Sequence, residues 1–416
     1  MEKFIVKGEV QLSGNVRISG AKNATLPIMA ATLLCSGTSV IHDVPYLRDI
    51  QAMQEILTLL GAKVVRHEHT MMIDTTNVSK VEIPEHLMRE MRASVFLMGP
   101  LLGRFRKVRI SYPGGCAIGP RPINLHIKAL EKIGASVEES YGFIDAEAAE
   151  LTGGEVNFDF PSVGATENAM MAAALAKGTT MIRNAAREPE IVDLQSMLNK
   201  MGAKISGAGT DTIKIDGVSR LLPAEHTVIC DRIEAGTFLI AGVMTRGDIV
   251  IENVVPEYLF SVTDKLQEIG AKIITGKDYI RIKAGELRGV DIKTLPYPGF
   301  PTDLQAPMLS LVTIAKGTSI ITETIFENRF KHVDELTRMG AKIKVEGRTA
   351  IIRGVPRLTG AIVAAPDLRA GSALVLAALA AEGTSEIEQV YHIERGYEKI
   401  DEKLQALGAN IVKVVG

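Results

Sequence analysis

Two kinds of helical segment alternate along the chain. One kind is apolar or small on nearly every face: LPIMAATLLCSG, SVFLMGPLLG, NAMMAAALAKG, GTFLIAGVMTRG, APMLSLVTIAKG and SALVLAALAAEG. A helix without a polar face belongs in an interior. The other kind is amphipathic: DIQAMQEILTLL, INLHIKALEKI, IVDLQSMLNKM, YLFSVTDKLQEI, KHVDELTRM and YEKIDEKLQAL. Each of these runs into a Gly-Ala pair, at Gly61-Ala62, Gly134-Ala135, Gly202-Ala203, Gly270-Ala271, Gly340-Ala341 and Gly408-Ala409. Glycine is the expected stop there, because the residue past a helix often takes positive φ, which costs glycine no steric clash. Strand-like stretches follow the pairs, as in KVVRHEHTMMID and KIKVEGRTAIIRGV.

The pairs recur about every 70 residues, beyond the roughly 20–50-residue periods of short solenoids. The sixth copy is cut short, with only NIVKVVG after Gly408-Ala409, while EKFIVKGEVQL at the other end is a strand without a unit of its own. The economical reading lets the first strand complete the last unit. It predicts an α/β fold of two domains, each of three units, with buried helices inside and sheets and amphipathic helices outside. This is an inside-out α/β barrel arrangement. One domain is expected at residues 21–229 and the other at residues 1–20 plus 230–416. A cleft between two such domains is a usual place for a ligand.

Composition narrows the function. Of 416 residues, 46% are hydrophobic, enough for a sizeable core, and the formal net charge of −2 gives no global basic field for nucleic acid or a membrane surface. The apolar runs are too short and too broken by glycine to span a bilayer. The first residues read as a strand and not as a signal peptide, so a cytoplasmic protein is expected. Cys35, Cys116 and Cys230 make no disulfide framework and suit a reducing compartment. No spacing of Cys, His, Asp and Glu resembles a metal site, so neither metal nor cofactor is expected.

Several segments carry candidate chemistry. In SGAKNATLP, Lys22 and Asn23 open an apolar helix, where amides and a lysine suit an anion, although an ordinary turn lysine fits as well. SYPGGCAIGPRP, residues 111–122, has three glycines and three prolines and is a loop. Its Cys116, with Arg121 five residues on, has the setting of a reactive thiol; Cys35 and Cys230 read as incidental buried thiols. In FPSVGATENAMM, Ser162, Val163 and Gly164 precede a buried helix whose amides suit a diphosphate, or they simply cap it. LPYPGFPTDLQAP rigidifies the approach to Asp303, a carboxylate fit to be a general base or a helix cap. Arg92, Arg369 and Arg395 stand beside small residues at segment starts, and Arg329 lies in ENRF.

Together SGAKNATLP, RASVFLMGP, PGGCAIGPRPINLH, FPSVGATEN, GFPTDLQA, ETIFENRF, PDLRAG and YHIERGYEKI resemble the UDP-N-acetylglucosamine 1-carboxyvinyltransferases, a family of enolpyruvyl transferases. The motifs run in family order from Lys22 to Arg395. The resemblance implies phosphoenolpyruvate and UDP-N-acetylglucosamine as substrates. Cys116 is then the proton donor and the site of a covalent adduct, and Asp303 receives the sugar hydroxyl proton. Lys22, Arg121 and Arg395 bind phosphoenolpyruvate, with Arg92 and Arg369 nearby. Asn23, the stretch Arg121, Pro122, Ile123, Asn124 and Leu125, the turn Ser162, Val163 and Gly164, and Asp303 and Ile325 bind the UDP-sugar. Three positions depart from the pattern: Phe160-Pro161 stand where many members have a lysine, Pro120 replaces alanine in GARP, and Asn124 replaces aspartate. The fold is shared with the transferases acting on shikimate-3-phosphate, so that acceptor is the nearest alternative. A silent nucleotide-sugar-binding relative is the alternative from another class.

The resemblance also implies that fosfomycin, an epoxide phosphonate resembling phosphoenolpyruvate, alkylates Cys116 ahead of Cys35 and Cys230. Cys116→Asp keeps a proton donor without a thiol and should retain some turnover while resisting the drug. Peptide mapping after alkylation, with turnover of the variant, checks both.

Overall fold

The computed structural model describes residues 2–90, 92–112, 119 and 123–415, with the side chains of residues 89, 90, 92 and 93 left aside. Among the described residues there are six four-stranded sheets with one plan. In the sheet of Glu155–Asn157, Thr179–Arg183, Thr212–Asp216 and Lys204–Ser206, a short edge strand pairs parallel with the central one. An antiparallel hairpin then completes the sheet. In Thr179–Arg183 only Thr180 and Ile182 are buried, the two-residue period of a strand with one wet face. Each sheet keeps two edges, so none closes on itself, and the barrel-like order is one of helices inside and sheets outside.

Chain ends fill gaps in the repeat. Glu2–Lys7 pairs antiparallel with both Thr384–Glu388 and Asn410–Val415, taking the hairpin place that the truncated last unit leaves open. Ser13–Arg17 is the parallel edge strand beside Asp248–Glu252, and Glu225–Thr227 plays that part beside Thr38–His42. The chain divides into two compact units at residues 19/20 and 229/230, the segment 113–122 left aside.

Each unit has its own core. Between Gly20 and Ile229 the core is built on Lys22–Ala31, Met98–Phe105 and Val163–Ala173, in the other unit on Arg232–Met244, Gln305–Val312 and Leu368–Ala380. All residues of Arg232–Met244 are buried. Fully burying one aliphatic side chain contributes about 1.5–3 kcal/mol, so these helices are held by packing more than by propensity. Gly99 allows two buried helices to approach closely: a Cβ there would lie 2.5 Å from the carbonyl oxygen of Asn168 on the neighbouring helix. No helix among the described residues is long and apolar enough to cross a membrane.

The six Gly-Ala glycines all take positive φ, from 92° at Gly340 to 119° at Gly270. At Gly270 a Cβ would also sit 2.3 Å from the Glu286 carbonyl oxygen, whereas at Gly408 nothing lies within 4 Å. Gly408→Ala should therefore cost about 1 kcal/mol and Gly270→Ala at least about twice that, read from urea unfolding midpoints.

Candidate functional site

In both units charged groups gather at two recurring places: the starts of the buried helices, and the connections from a central strand to the following amphipathic helix. The core leaves little choice, since an unpaired charge inside it would cost several kcal/mol.

In the unit from Gly20 to Ile229, Lys22 is the first residue of a buried helix that has no side-chain cap, so the first-turn amides and a lysine share one end. Lys22 is buried, and its Nζ lies 2.7 Å from Asp49 Oδ2 in the first turn of Arg48–Leu60. It is not an exposed turn lysine. Asn23 is half-buried beside it. Ser162 caps Val163–Ala173, its Oγ accepting from Ala165 N at 3.4 Å. A Cβ on Gly164 would lie 2.9 Å from the Phe96 ring and 3.0 Å from the His126 ring. Glycine thus lets Asn124–Lys132 approach the turn. Asn168 fixes His126: its Nδ2 donates to His126 Nδ1 at 2.8 Å and to the Val95 carbonyl at 2.9 Å, while its Oδ1 accepts from Gly99 N at 2.8 Å. The structure therefore brings the turn Ser162, Val163 and Gly164 together with the helix that Ile123 caps, with Ile123 buried, Leu125 half-buried and Asn124 exposed. Arg92 starts the short 3-10 helix Arg92–Leu97. Its side chain, and Cys116, Arg121 and Pro122, lie outside the described residues. Cys35 and Cys230 are both buried, and burial pushes the Cys35 thiol up, away from a nucleophilic thiolate. One turn beyond Gly164, Glu167 is fully buried; burial first, then the charges of Glu190 and Glu188, raises its carboxyl well above the usual range.

In the unit of residues 2–19 and 230–415, the centre is Asp303. Its Oδ1 accepts from Arg329 Nη2 at 2.7 Å and its Oδ2 from Arg369 Nη2 at 3.0 Å. Asp303 lies in the 3-10 turn Thr302–Leu304 and does not cap the next helix, whose N-cap, Leu304, makes no side-chain bond. Both arginine side chains are 4% exposed, while that of Asp303 is 27% exposed, so the carboxylate is gripped from behind and open in front. Burial works against the charge of Arg369, but Tyr397, Asp303 and Asp231 more than offset it and hold the guanidinium protonated. Arg329 Nη1 donates to Thr302 Oγ1 at 2.7 Å, and Thr302 Oγ1 donates to Glu323 Oε2 at 2.8 Å. The amide of Ile325 donates to Glu323 Oε1 at 2.8 Å. Asp303, Ile325 and Arg369 are thus joined in one hydrogen-bonded cluster. Arg395 ends the 3-10 helix Val390–Arg395 and is half-buried; burial first, then its charge, lowers the pKa of His392.

Asp49 and Glu323 were not picked out by the sequence. Asp49 reads there as a first-turn acid that any helix favours. Glu323 had a readable signal. The residue just after the central strand is left-handed in four units, at Asp43, Asn184, Asn253 and Gln389. The other two units have Tyr112 and Glu323 in that place. Aligning the units would have marked both connections as different.

The EPSP synthase (3-phosphoshikimate 1-carboxyvinyltransferase) family matches residues 6–404, and the chain belongs to it. Within that family, the chain is 57% identical over 420 residues to UDP-N-acetylglucosamine 1-carboxyvinyltransferase 1 of Symbiobacterium thermophilum, covering 99% of this chain and 95% of the relative. It is 55% identical to UDP-N-acetylglucosamine 1-carboxyvinyltransferase 2 of Carboxydothermus hydrogenoformans, with 100% of both covered. The crystal structure of the enolpyruvyl transferase NikO from Streptomyces tendae superposes with a TM-score of 0.90 at 26% identity, covering 100% of this chain and 99% of that one. EPSP synthase from Acinetobacter baumannii, at 16% identity, a TM-score of 0.75 and full coverage of both chains, shares the fold.

Behind Arg329, His332 is buried, and its pKa is pushed down to about 4, by burial first, with Asp367 opposing and Arg329 adding. The folded state keeps this imidazole neutral, whereas the unfolded chain protonates it near pH 6.5. Stability is therefore lost as pH falls from about 6.5 towards 4, by up to about 1.4 kcal/mol per pH unit. Denaturant midpoints at pH 7 and pH 5 should fall further apart in the wild type than in His332→Gln.

Proposed function

We infer that the chain transfers the enolpyruvyl group of phosphoenolpyruvate to the 3′-hydroxyl of UDP-N-acetylglucosamine and releases phosphate. The observation that carries this reading is Asp303, held between two buried arginines yet 27% exposed. A carboxylate so fixed keeps one geometry, has a partner that favours its ionised form, and presents a face to a hydroxyl. The relatives at 52–57% identity named for this acceptor choose it over shikimate-3-phosphate.

The hydroxyl oxygen bonds to C2 of phosphoenolpyruvate while its proton passes to Asp303 and Cys116 delivers a proton to C3. The tetrahedral ketal then loses a proton from C3, the C2–O bond to phosphate breaks, and the vinyl ether remains. Phosphoenolpyruvate carries up to about three negative charges, which convergent cations must match as charge builds on the departing phosphate. Lys22, Arg121 and Arg395 take that part, with Arg92 and Arg369 nearby. Asn23, Arg121, Pro122, Ile123, Asn124, Leu125, Ser162, Val163, Gly164, Asp303 and Ile325 hold the UDP-sugar. Without a lysine at Phe160-Pro161, its diphosphate relies on the amides at the start of Val163–Ala173 or on another cation. The domain at 21–229 supplies the cysteine loop, and residues 1–20 with 230–416 supply the aspartate. The reaction opens peptidoglycan precursor synthesis in the cytoplasm, serving the cell wall and so cell shape and division, and Cys116 makes the enzyme a fosfomycin target.

Phosphate release from phosphoenolpyruvate should depend on UDP-N-acetylglucosamine and fail with shikimate-3-phosphate; the reverse pattern, or release with neither, rejects the reading. Asp303→Asn should keep UDP-sugar binding by calorimetry and lose roughly 100-fold or more in turnover, the size of one lost general base.

A further inference from the structure

Glu323 does no chemistry in the scheme above, yet it is fully buried and surrounded by donors. Oε1 accepts from Thr294 Oγ1 at 2.9 Å, from Ile325 N at 2.8 Å and from Phe326 N at 3.2 Å. Oε2 accepts from Thr302 Oγ1 at 2.8 Å. The direction of the last bond is fixed, because Thr302 Oγ1 already accepts from Arg329 Nη1 at 2.7 Å and its proton must go to Glu323. Arg329 in turn donates to Asp303. One buried carboxyl group therefore sets two things at once. Through its first oxygen it folds the chain at 325–326, and through its second it aims the Thr302–Arg329 arm that orients Asp303.

The repeat supplies an independent reason to see this as a built device. In two other units the residue at the same place bonds the chain leaving the parallel edge strand towards the buried helix: Asn184 Nδ2 donates to the Phe158 carbonyl at 2.9 Å, and Asn253 Nδ2 donates to the Ile18 carbonyl at 2.8 Å. Glu323 makes the equivalent tie at Thr294, just past Ile292–Lys293. An asparagine amide ends there. A glutamate is longer, has two acceptor oxygens, and reaches on to Thr302 as well. A latch that two other units use for structure alone reaches, in this one, the residues that hold Asp303.

We propose that Glu323 is a positioning residue for the enolpyruvyl transfer: it holds the base Asp303 through Thr302 and Arg329, and the sugar-contacting turn at Ile325 through its backbone. This rests on the functional reading given above. Glu323→Gln keeps the shape but replaces one acceptor oxygen with a donor, so four donors no longer all find an acceptor. Thr302→Val keeps the shape and cuts only the arm to Arg329; Thr302→Ser restores it. Losing a hydrogen bond to a charged group corresponds to roughly 10–100-fold.

Glu323→Gln should lower kcat by roughly 10–100-fold and raise KM for UDP-N-acetylglucosamine. Thr302→Val should lower kcat with KM for the sugar unchanged, and Thr302→Ser should recover most of it. In both impaired variants the acid limb of the kcat profile should move to higher pH, because a carboxylate with a loosened arginine partner is easier to protonate. A purely structural role would lower the melting temperature and leave the pH limb in place. Wild-type kcat, KM and pH profile in Glu323→Gln overturn the proposal, as does a Thr302→Val enzyme that loses only stability. Hydrogen exchange at the Ile325 and Phe326 amides, faster in Glu323→Gln and unchanged in Thr302→Val, reads the anchor without any turnover. If the wild type itself releases no phosphate, the functional reading has failed, and the exchange result still decides whether Glu323 holds this turn; equal exchange in all variants overturns that part too.

Discussion

Packing three helices with almost no polar face into one core constrains everything else in each unit. Polar and charged groups cannot lie along such helices without losing solvation worth several kcal/mol. They can lie at the starts, where the backbone leaves amides unpaired and a neighbouring connection brings a partner. Lys22 with Asp49, and Asp303 with Arg329 and Arg369, follow this rule. Asp231 and Asp367 cap the other two helices of the second core by accepting from first-turn amides. These charged groups sit at helix starts, where the core leaves them partners.

The same constraint shapes the electrostatics of Asp303. Two guanidinium groups keep a carboxylate ionised, the form a base needs, but they also weaken it as a base. On the reading proposed here the two demands separate in time. Arg369 is among the cations placed near phosphoenolpyruvate, and a polyanion arriving beside it competes for its donors. Each donor that turns to the ligand leaves Asp303 more basic. Arg329 is different, because Thr302 holds its other nitrogen, and so Asp303 keeps its orientation while it gains basicity.

How much of this was legible in the sequence follows from how each feature is encoded. The helices and their stops repeat six times, so periodicity and glycine reveal them, and positive φ at all six glycines is the physical content of that signal. The pairing of Glu2–Lys7 with Asn410–Val415 was readable from a unit with a missing strand. Helix ends were less well read: YEKIDEKLQAL forms a helix only over Ile400–Ala406, because Val390–Arg395 is a 3-10 turn and Lys399 is left-handed. Asp303 was visible through its prolines, but its two arginines lie 26 and 66 residues away along the chain, and no local pattern pairs them. Asp49 was invisible for the same reason, since a buried acid and a surface acid are one letter in sequence, and Glu323 shows only when the six units are aligned.

The repeat also explains why the connections after the central strands differ from one another while the helices do not. Every unit must bury an apolar helix and close a four-stranded sheet, and a change there is felt through close packing. The connection from central strand to amphipathic helix differs from unit to unit, although residues such as Val44, Ala185 and Val254 within it are buried; its first residue, in units such as those of Asn184 and Asn253, ties the neighbouring chain. Tyr112 and Glu323 begin two of these connections without the left-handed start that Asp43, Asn184, Asn253 and Gln389 give the other four. A fold made six times thus repeats the same connection in every unit, and the differences among those connections, more than the repeat itself, distinguish one unit from another.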